Sequence, residues 1–116
     1  EEVRGMDDMK EVLNEVHTSL KTLGKHHPGF IKTFSGFLGE VEKEGALSTK
    51  IKELISVSLS VATSCKWCIA FHVKAALDAG ATKEEIMESC FVAALMAGGP
   101  ALMYTQLAVK AIEEYT

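Results

Sequence analysis

Two thiols and an imidazole share one short run, Cys65-Lys66-Trp67-Cys68-Ile69-Ala70-Phe71-His72. On a helix, residues three and four apart stand one above the other, so this spacing places all three groups on one face. Cys65 and Cys68 can close a disulfide across one turn, and His72 lies one turn beyond Cys68. A thiol attacks as its thiolate, and a neighbouring base or cation lowers its pKa from about 8.5. The run therefore holds the parts of a redox dithiol. Cys65 falls at the predicted start of a helix, where unpaired backbone N–H groups favour an anion. Cys68 has His72 instead. Spacing alone does not decide which cysteine attacks.

Glu53 joins this group only if the chain turns back on itself. On one continuous helix it would lie about 18 Å from Cys65, at about 1.5 Å per residue. A reversal at Thr63-Ser64 makes the flanking helices antiparallel and brings Glu53 and His72 to similar depth. A carboxylate there orients the imidazole and raises its basicity, the logic of a general-base system. Ser56 and Ser60 continue from Glu53 at helical spacing, a stripe that could hold a water between carboxylate and imidazole. Taken alone, Glu53 also fits a solvated dipole partner near a helix start, and His72 a structural histidine. Cys90, set in Cys90-Phe91-Val92-Ala93-Ala94-Leu95, reads as a small buried hydrophobe. His17, His26 and His27 read as exposed helix and loop residues.

Other chemistries of the Cys-x-x-Cys pair fit less well. A structural zinc site wants four ligands. Cys65, Cys68 and His72 are three, there is no second cysteine pair, and a fourth would have to come from His26 or His27. Covalent haem attachment needs His directly after the second cysteine, and position 69 is Ile. A thioredoxin-like fold needs strands, which the periodicity does not show. No cofactor and no metal are expected.

Helical periodicity dominates the elements that must position these groups. The first helix is expected over residues 6–23, with Met9, Val12, Leu13, Val16 and Leu20 as its apolar stripe and Gly24 as its end. Pro28 opens a second helix carrying Phe30, Ile31, Phe34, Phe37, Leu38 and Val41 before Gly45. Ser48 is a good N-cap for a third, over residues 49–62. Thr63 and Ser64 offer caps for a fourth, which runs to about Ala79 before Gly80. Thr82-Lys83-Glu84-Glu85 is a capping box that starts a fifth near Lys83, and Gly98-Gly99 ends it. Pro100 opens a sixth with Leu102, Met103, Leu107, Val109 and Ile112. The reading is an all-α, single-domain bundle of about six helices over residues 1–116.

Composition bounds the partners. A net charge of −4 without a basic cluster argues against nucleic acid. Three cysteines do not make a secreted disulfide framework, and residues 1–10 are charged rather than apolar, so no secretory leader is expected there. A cytoplasmic protein fits best. The chain opens on Glu1 rather than methionine, and no weight rests on its first residues. Residues 89–109 carry no charge, but Gly98-Gly99-Pro100 breaks the run into two short helices, so no membrane span is expected. One small core cannot hide two such uncharged helices, which predicts an obligate homo-oligomer.

The sequence resembles the carboxymuconolactone decarboxylase family, in particular its alkyl hydroperoxidase D-like branch. That branch has a Glu, eleven residues, Cys-x-x-Cys, three residues and a His, the spacing of Glu53, Cys65, Cys68 and His72. Pro28-Gly29-Phe30, Lys52-Glu53-Leu54-Ile55-Ser56 and the run from His72 to Ile86 also match, and the likeness spans about residues 28–112. The resemblance implies an all-α oligomer, a trimer or a hexamer built from trimers. It also implies a thiol peroxidase or disulfide reductase in which Cys65 and Cys68 cycle between dithiol and disulfide while Glu53 and His72 relay a proton. Cys68 would be the cysteine activated by His72, with Cys65 its disulfide partner. The substrate would be a hydroperoxide, and an external dithiol, a lipoyl group or a thioredoxin-like protein, would reset the pair. Hydroperoxidase members often carry a His just before the second cysteine, and here that position is Trp67, which cannot accept a proton. Two rivals remain at this point: a decarboxylase acting on a muconolactone-like acid, and a non-enzymatic redox-sensing oligomer. The decarboxylase branch usually lacks the cysteine pair, and Arg4 is the only arginine available for a carboxylate substrate.

Overall fold

The computed structural model describes residues 7–116, which form six helices: α1 (Met9–His26), α2 (Pro28–Glu42), α3 (Thr49–Ala62), α4 (Lys66–Asp78), α5 (Lys83–Ala97) and α6 (Gly99–Tyr115). Helix α3 lies at the centre, packed on α4, α5 and α6, while α1 covers α4 and α6 and α2 lies on α1. The core interleaves Met9 and Val12 of α1 with Val57 and Val61 of α3, Ile69 and Val73 of α4, and Ile86 of α5.

Local chemistry explains most boundaries. Ser48 accepts the Ile51 amide at the start of α3, and Thr82 and Glu85 form the expected capping box at the start of α5. Gly80 and Gly98 end their helices with positive φ, a region that costs an L-side chain energy. Three boundaries differ from the sequence reading. Helix α1 runs through Gly24 to His26, because Lys25 and His26 suit the negative end of its dipole and Pro28 sets the break instead. Helix α2 stops at Glu42 rather than near Gly45. The cap of α4 is neither Thr63 nor Ser64 but Cys65, whose Sγ accepts the Cys68 amide at 3.2 Å. The predicted start of α1 at Met6 lies outside the described residues, as does Arg4.

The reversal between α3 and α4 occurs where expected. Ser64 adopts φ 56°, and the Cys65 amide donates back to the Ser60 carbonyl at 3.0 Å. A left-handed serine costs about 1 kcal/mol, which the tight antiparallel packing of α3 on α4 must offset. Glu53 and His72 thereby face each other.

The outer surface is unusually apolar. Helix α2 buries no residue, and Phe30, Phe37 and Val41 are exposed. On α6 the expected apolar stripe is reversed in part, and α5 shows the same inversion. Small residues (Ala93, Ala101, Ala108, Ala111) face the core, while Leu102 and Met103 are exposed and Leu95 and Met96 are 81% and 83% exposed. Among the described residues no helix is long and apolar enough to cross a membrane.

Candidate functional site

Glu53 sits in the second turn of α3 and is 3% exposed. Its Oε1 lies 2.7 Å from Nδ1 of His72 on α4. The bond is direct, so no water fits between them. Ser56 and Ser60 do not bridge: each hydroxyl donates to the carbonyl four residues back, Lys52 at 3.0 Å and Ser56 at 2.6 Å. A carboxylate has no proton to give, so Nδ1 carries the hydrogen and Nε2 is left as the basic nitrogen.

Cys65 and Cys68 form a disulfide with a Cα–Cα distance of 5.3 Å. Cys68 and His72, one turn apart on α4, share the walls of two cavities. The first, about 190 Å³, is apolar and bounded by Val16, Leu20, Phe34, Leu38, Trp67 and Phe71. The second, about 240 Å³, is bounded by Ser56, Leu59, Ser60 and Thr63. Cys65 lines neither. Trp67 is held at the first cavity by its indole N–H, which donates to Glu15 of α1 at 2.8 Å, and by the Lys66 ammonium 4.9 Å from the ring centroid. The residue in the position of a second histidine is therefore a wall fixed to α1.

Sequence reasoning missed Glu42, the last residue of α2. One polar atom each from Glu42, Glu53 and His72 lie within 4.8 Å of one another. Burial, the hydrogen bond to Glu53 and the charge of Glu53 push the Glu42 carboxyl up, against a smaller downward pull from His72. Burial alone would raise Glu53 as well, but hydrogen bonds from His72 and Glu42 and the charge of His72 outweigh it and hold Glu53 below its ordinary range. The two carboxyls are thus driven apart, Glu42 toward the acid and Glu53 toward the carboxylate. The one sequence signal for Glu42 was an acidic residue in the last turn of a helix, against the dipole.

The same three groups are the one metal-type cluster among the described residues. Ligand atoms about 2.1 Å from one tetrahedral cation stand about 3.4 Å apart, whereas Glu53 and His72 are at hydrogen-bonding distance. The arrangement fits proton sharing better than coordination. The histidines that the zinc alternative would draw on, His26 and His27, are exposed and lie outside this cluster. Cys90 is buried and separate, as expected, its thiol pushed up to about 11 by burial against a small pull from Thr105.

Known proteins share this fold. A carboxymuconolactone decarboxylase family protein from Legionella pneumophila superposes with a TM-score of 0.88 at 37% identity, covering 92% of this chain and 96% of that one. A family protein from Thermotoga maritima, described as having a possible involvement in the antioxidative response, gives 0.78 at 27% identity over 89% and 88%. Two named enzymes are also similar in sequence. The 4-carboxymuconolactone decarboxylase of Acinetobacter baylyi is 30% identical over 84% of this chain and 75% of its own. The alkyl hydroperoxide reductase AhpD of Mycobacteroides abscessus is 37% identical over 40% of this chain and 26% of its own. With the family model matching residues 28–111, the chain belongs to the carboxymuconolactone decarboxylase family.

Proposed function

We propose that this protein is a thiol-dependent peroxidase of the alkyl hydroperoxidase D-like type. The observation that carries the reading is the Glu53–His72 bond of 2.7 Å, with Cys68, rather than Cys65, sharing both cavity walls with His72. In the reduced enzyme His72, oriented by Glu53, takes the Cys68 proton. The thiolate attacks the terminal oxygen of a hydroperoxide, the O–O bond breaks, and the alkoxide leaves as alcohol with the proton His72 held. Cys65 then attacks the Cys68 sulfenic acid, releasing water and giving the disulfide present in the structure. An external dithiol, a lipoyl group or a thioredoxin-like protein, reduces it, which places the cycle in a reducing compartment such as the cytoplasm. The similarity to an AhpD and to a protein described as having a possible involvement in the antioxidative response supports this. Decarboxylation of an anionic lactone is less favoured, because no lysine or arginine among the described residues lines either cavity.

The test is peroxide consumption with a dithiol donor, across hydrogen peroxide and organic hydroperoxides, with thiols counted before and after turnover. Cys65→Ala and Cys68→Ala are expected to abolish it, and undiminished turnover in either would end the proposal. We further read the protein as a homo-oligomer, trimeric or hexameric, that covers the exposed apolar residues of α5 and α6. Light scattering should give a particle several times the 12.6 kDa chain, and Leu95→Glu should reduce it toward a monomer. A change of size on reduction, without peroxide turnover, would favour a redox sensor.

A further inference from the structure

Helix α2 has no fully buried side chain, yet its last turn is fastened to α3. The Thr49 hydroxyl donates to the Glu42 carbonyl at 2.7 Å, and the Lys52 ammonium donates to the carbonyls on either side, Val41 at 2.8 Å and Lys43 at 2.7 Å. Three hydrogen bonds thus fix the backbone around the α2 residue whose carboxyl approaches the Glu53–His72 pair. A helix otherwise loosely seated is held where Glu42 meets the site.

Resting on the peroxidase reading above, we propose that Glu42 is a positioning residue that carries a proton: Glu42 as carboxylic acid, Glu53 as carboxylate and His72 stand in series, one proton shared between the carboxyls. The geometry assigns the order. His72 donates to Glu53 at 2.7 Å, so Glu53 must be the acceptor, and a second carboxyl with an oxygen within 4.8 Å of it can share a proton with it only as the donor. Two carboxylates this close to each other do not both ionise readily. Among the described residues, the charged groups around Glu42 are Glu53 and Lys52 of α3 and His72 of α4. On its own segment Glu40 and Lys43 pair with each other at 2.7 Å, and Glu44 accepts the Thr49 amide. Helix α1 contributes no charge that perturbs it.

The arrangement gives the relay two settings. With Glu42 protonated, the charge of Glu53 is divided between two donors and its hold on an imidazolium is moderated. When Glu42 loses its proton to solvent, a second negative charge faces His72 within 4.8 Å, the imidazolium is favoured, and the Cys68 proton is drawn off more fully. Thiolate formation at Cys68 therefore follows two titrations rather than one.

Two measurements test this. The oxidised protein at neutral pH should show the infrared C=O stretch of a protonated carboxyl that is lost in Glu42→Gln; a wild type without that band overturns the proposal. In the reduced protein, the pH profile of Cys68 alkylation should show two inflections. Glu42→Gln, which donates to Glu53 but cannot ionise, should lose the one belonging to Glu42, and Glu42→Asp should restore a second inflection. An unchanged two-step profile in Glu42→Gln overturns the proposal. His72→Ala separates the layers: Cys68 reactivity indifferent to His72 sinks the relay itself, whereas dependence on His72 with indifference to Glu42 sinks only this inference.

Discussion

Replacing Glu53 by Gln removes the charge beside His72 while leaving an acceptor in nearly the same place. At 2.7 Å, an ionised Glu53 and an imidazolium attract with a gross energy of about 6 kcal/mol at an effective dielectric of about 20. Little of that acts while His72 is neutral. The resting protein exchanges a hydrogen bond to a charged acceptor, worth about 1.5–3 kcal/mol, for a neutral one worth about 0.5–1.5. Stability should then fall by about 1 kcal/mol, a loss of about 3–6 °C in Tm for a domain of this size at fixed protein concentration. The imidazolium that forms as Cys68 gives up its proton meets the full difference. General-base assistance is worth about 10²–10⁴ in rate, or about 3–5 kcal/mol, which fits inside the gross figure. The assay is the alkylation rate of Cys68 in reduced protein, read beside dithiol-driven peroxide consumption and a thermal melt. A small drop in Tm with a large drop in both rates is expected. If Glu53→Gln alkylates within about threefold of the parent, far short of general-base assistance, the bond is structural and the relay argument fails.

The two carboxyls should also give opposite slopes to stability against pH. Glu53 is held below its ordinary 4.5, so its contribution is present above 4.5 and is lost as pH falls through its folded value; Glu53→Gln should therefore close its deficit in acid. Glu42 is raised above 4.5, so its contribution is full below 4.5 and is lost as pH rises through its folded value; Glu42→Gln should gain on the parent with rising pH in denaturant titrations. Native, reduced protein treated with iodoacetamide at neutral pH should take two labels by mass spectrometry, since burial holds the Cys90 thiol at about 11; a rapid third label would contradict that burial. Trp67→Ala removes a wall of the apolar cavity and the bond to Glu15. It should raise KM for bulky organic hydroperoxides several-fold while leaving hydrogen peroxide turnover nearly unchanged.

Much of the site was legible because it depends on local rules. The Cys65, Cys68 and His72 spacing is a property of one helix and its cap, and the turn at Thr63-Ser64 brings Glu53 over from the preceding one. Glu42 was hidden because its approach depends on Thr49 and Lys52 reaching the end of a different helix, a tertiary contact with no periodic trace. Trp67 read as an obstacle in a proton path, and only its partner Glu15, 52 residues away, shows it as a fixed wall. On α6, apolar periodicity picked out Leu102 and Met103, but close packing of α6 on its neighbours admits alanine there and turns the larger residues outward. Gly24 misled because a glycine ends a helix only when the chain adopts the left-handed turn, and Pro28 supplied the break instead.

The capping role of Cys65 bears on how little the protein must rearrange as it changes oxidation state. Its sulfur already accepts the Cys68 amide at the first turn of α4. When the disulfide opens, the same sulfur remains at the helix end, and as a thiolate it would be a stronger acceptor for that N–H. A covalent tether is exchanged for a charge-assisted one along the same line of atoms. The backbone of α4 can then keep one conformation through both halves of the cycle, so the electron traffic need not wait on refolding of the helix that carries it.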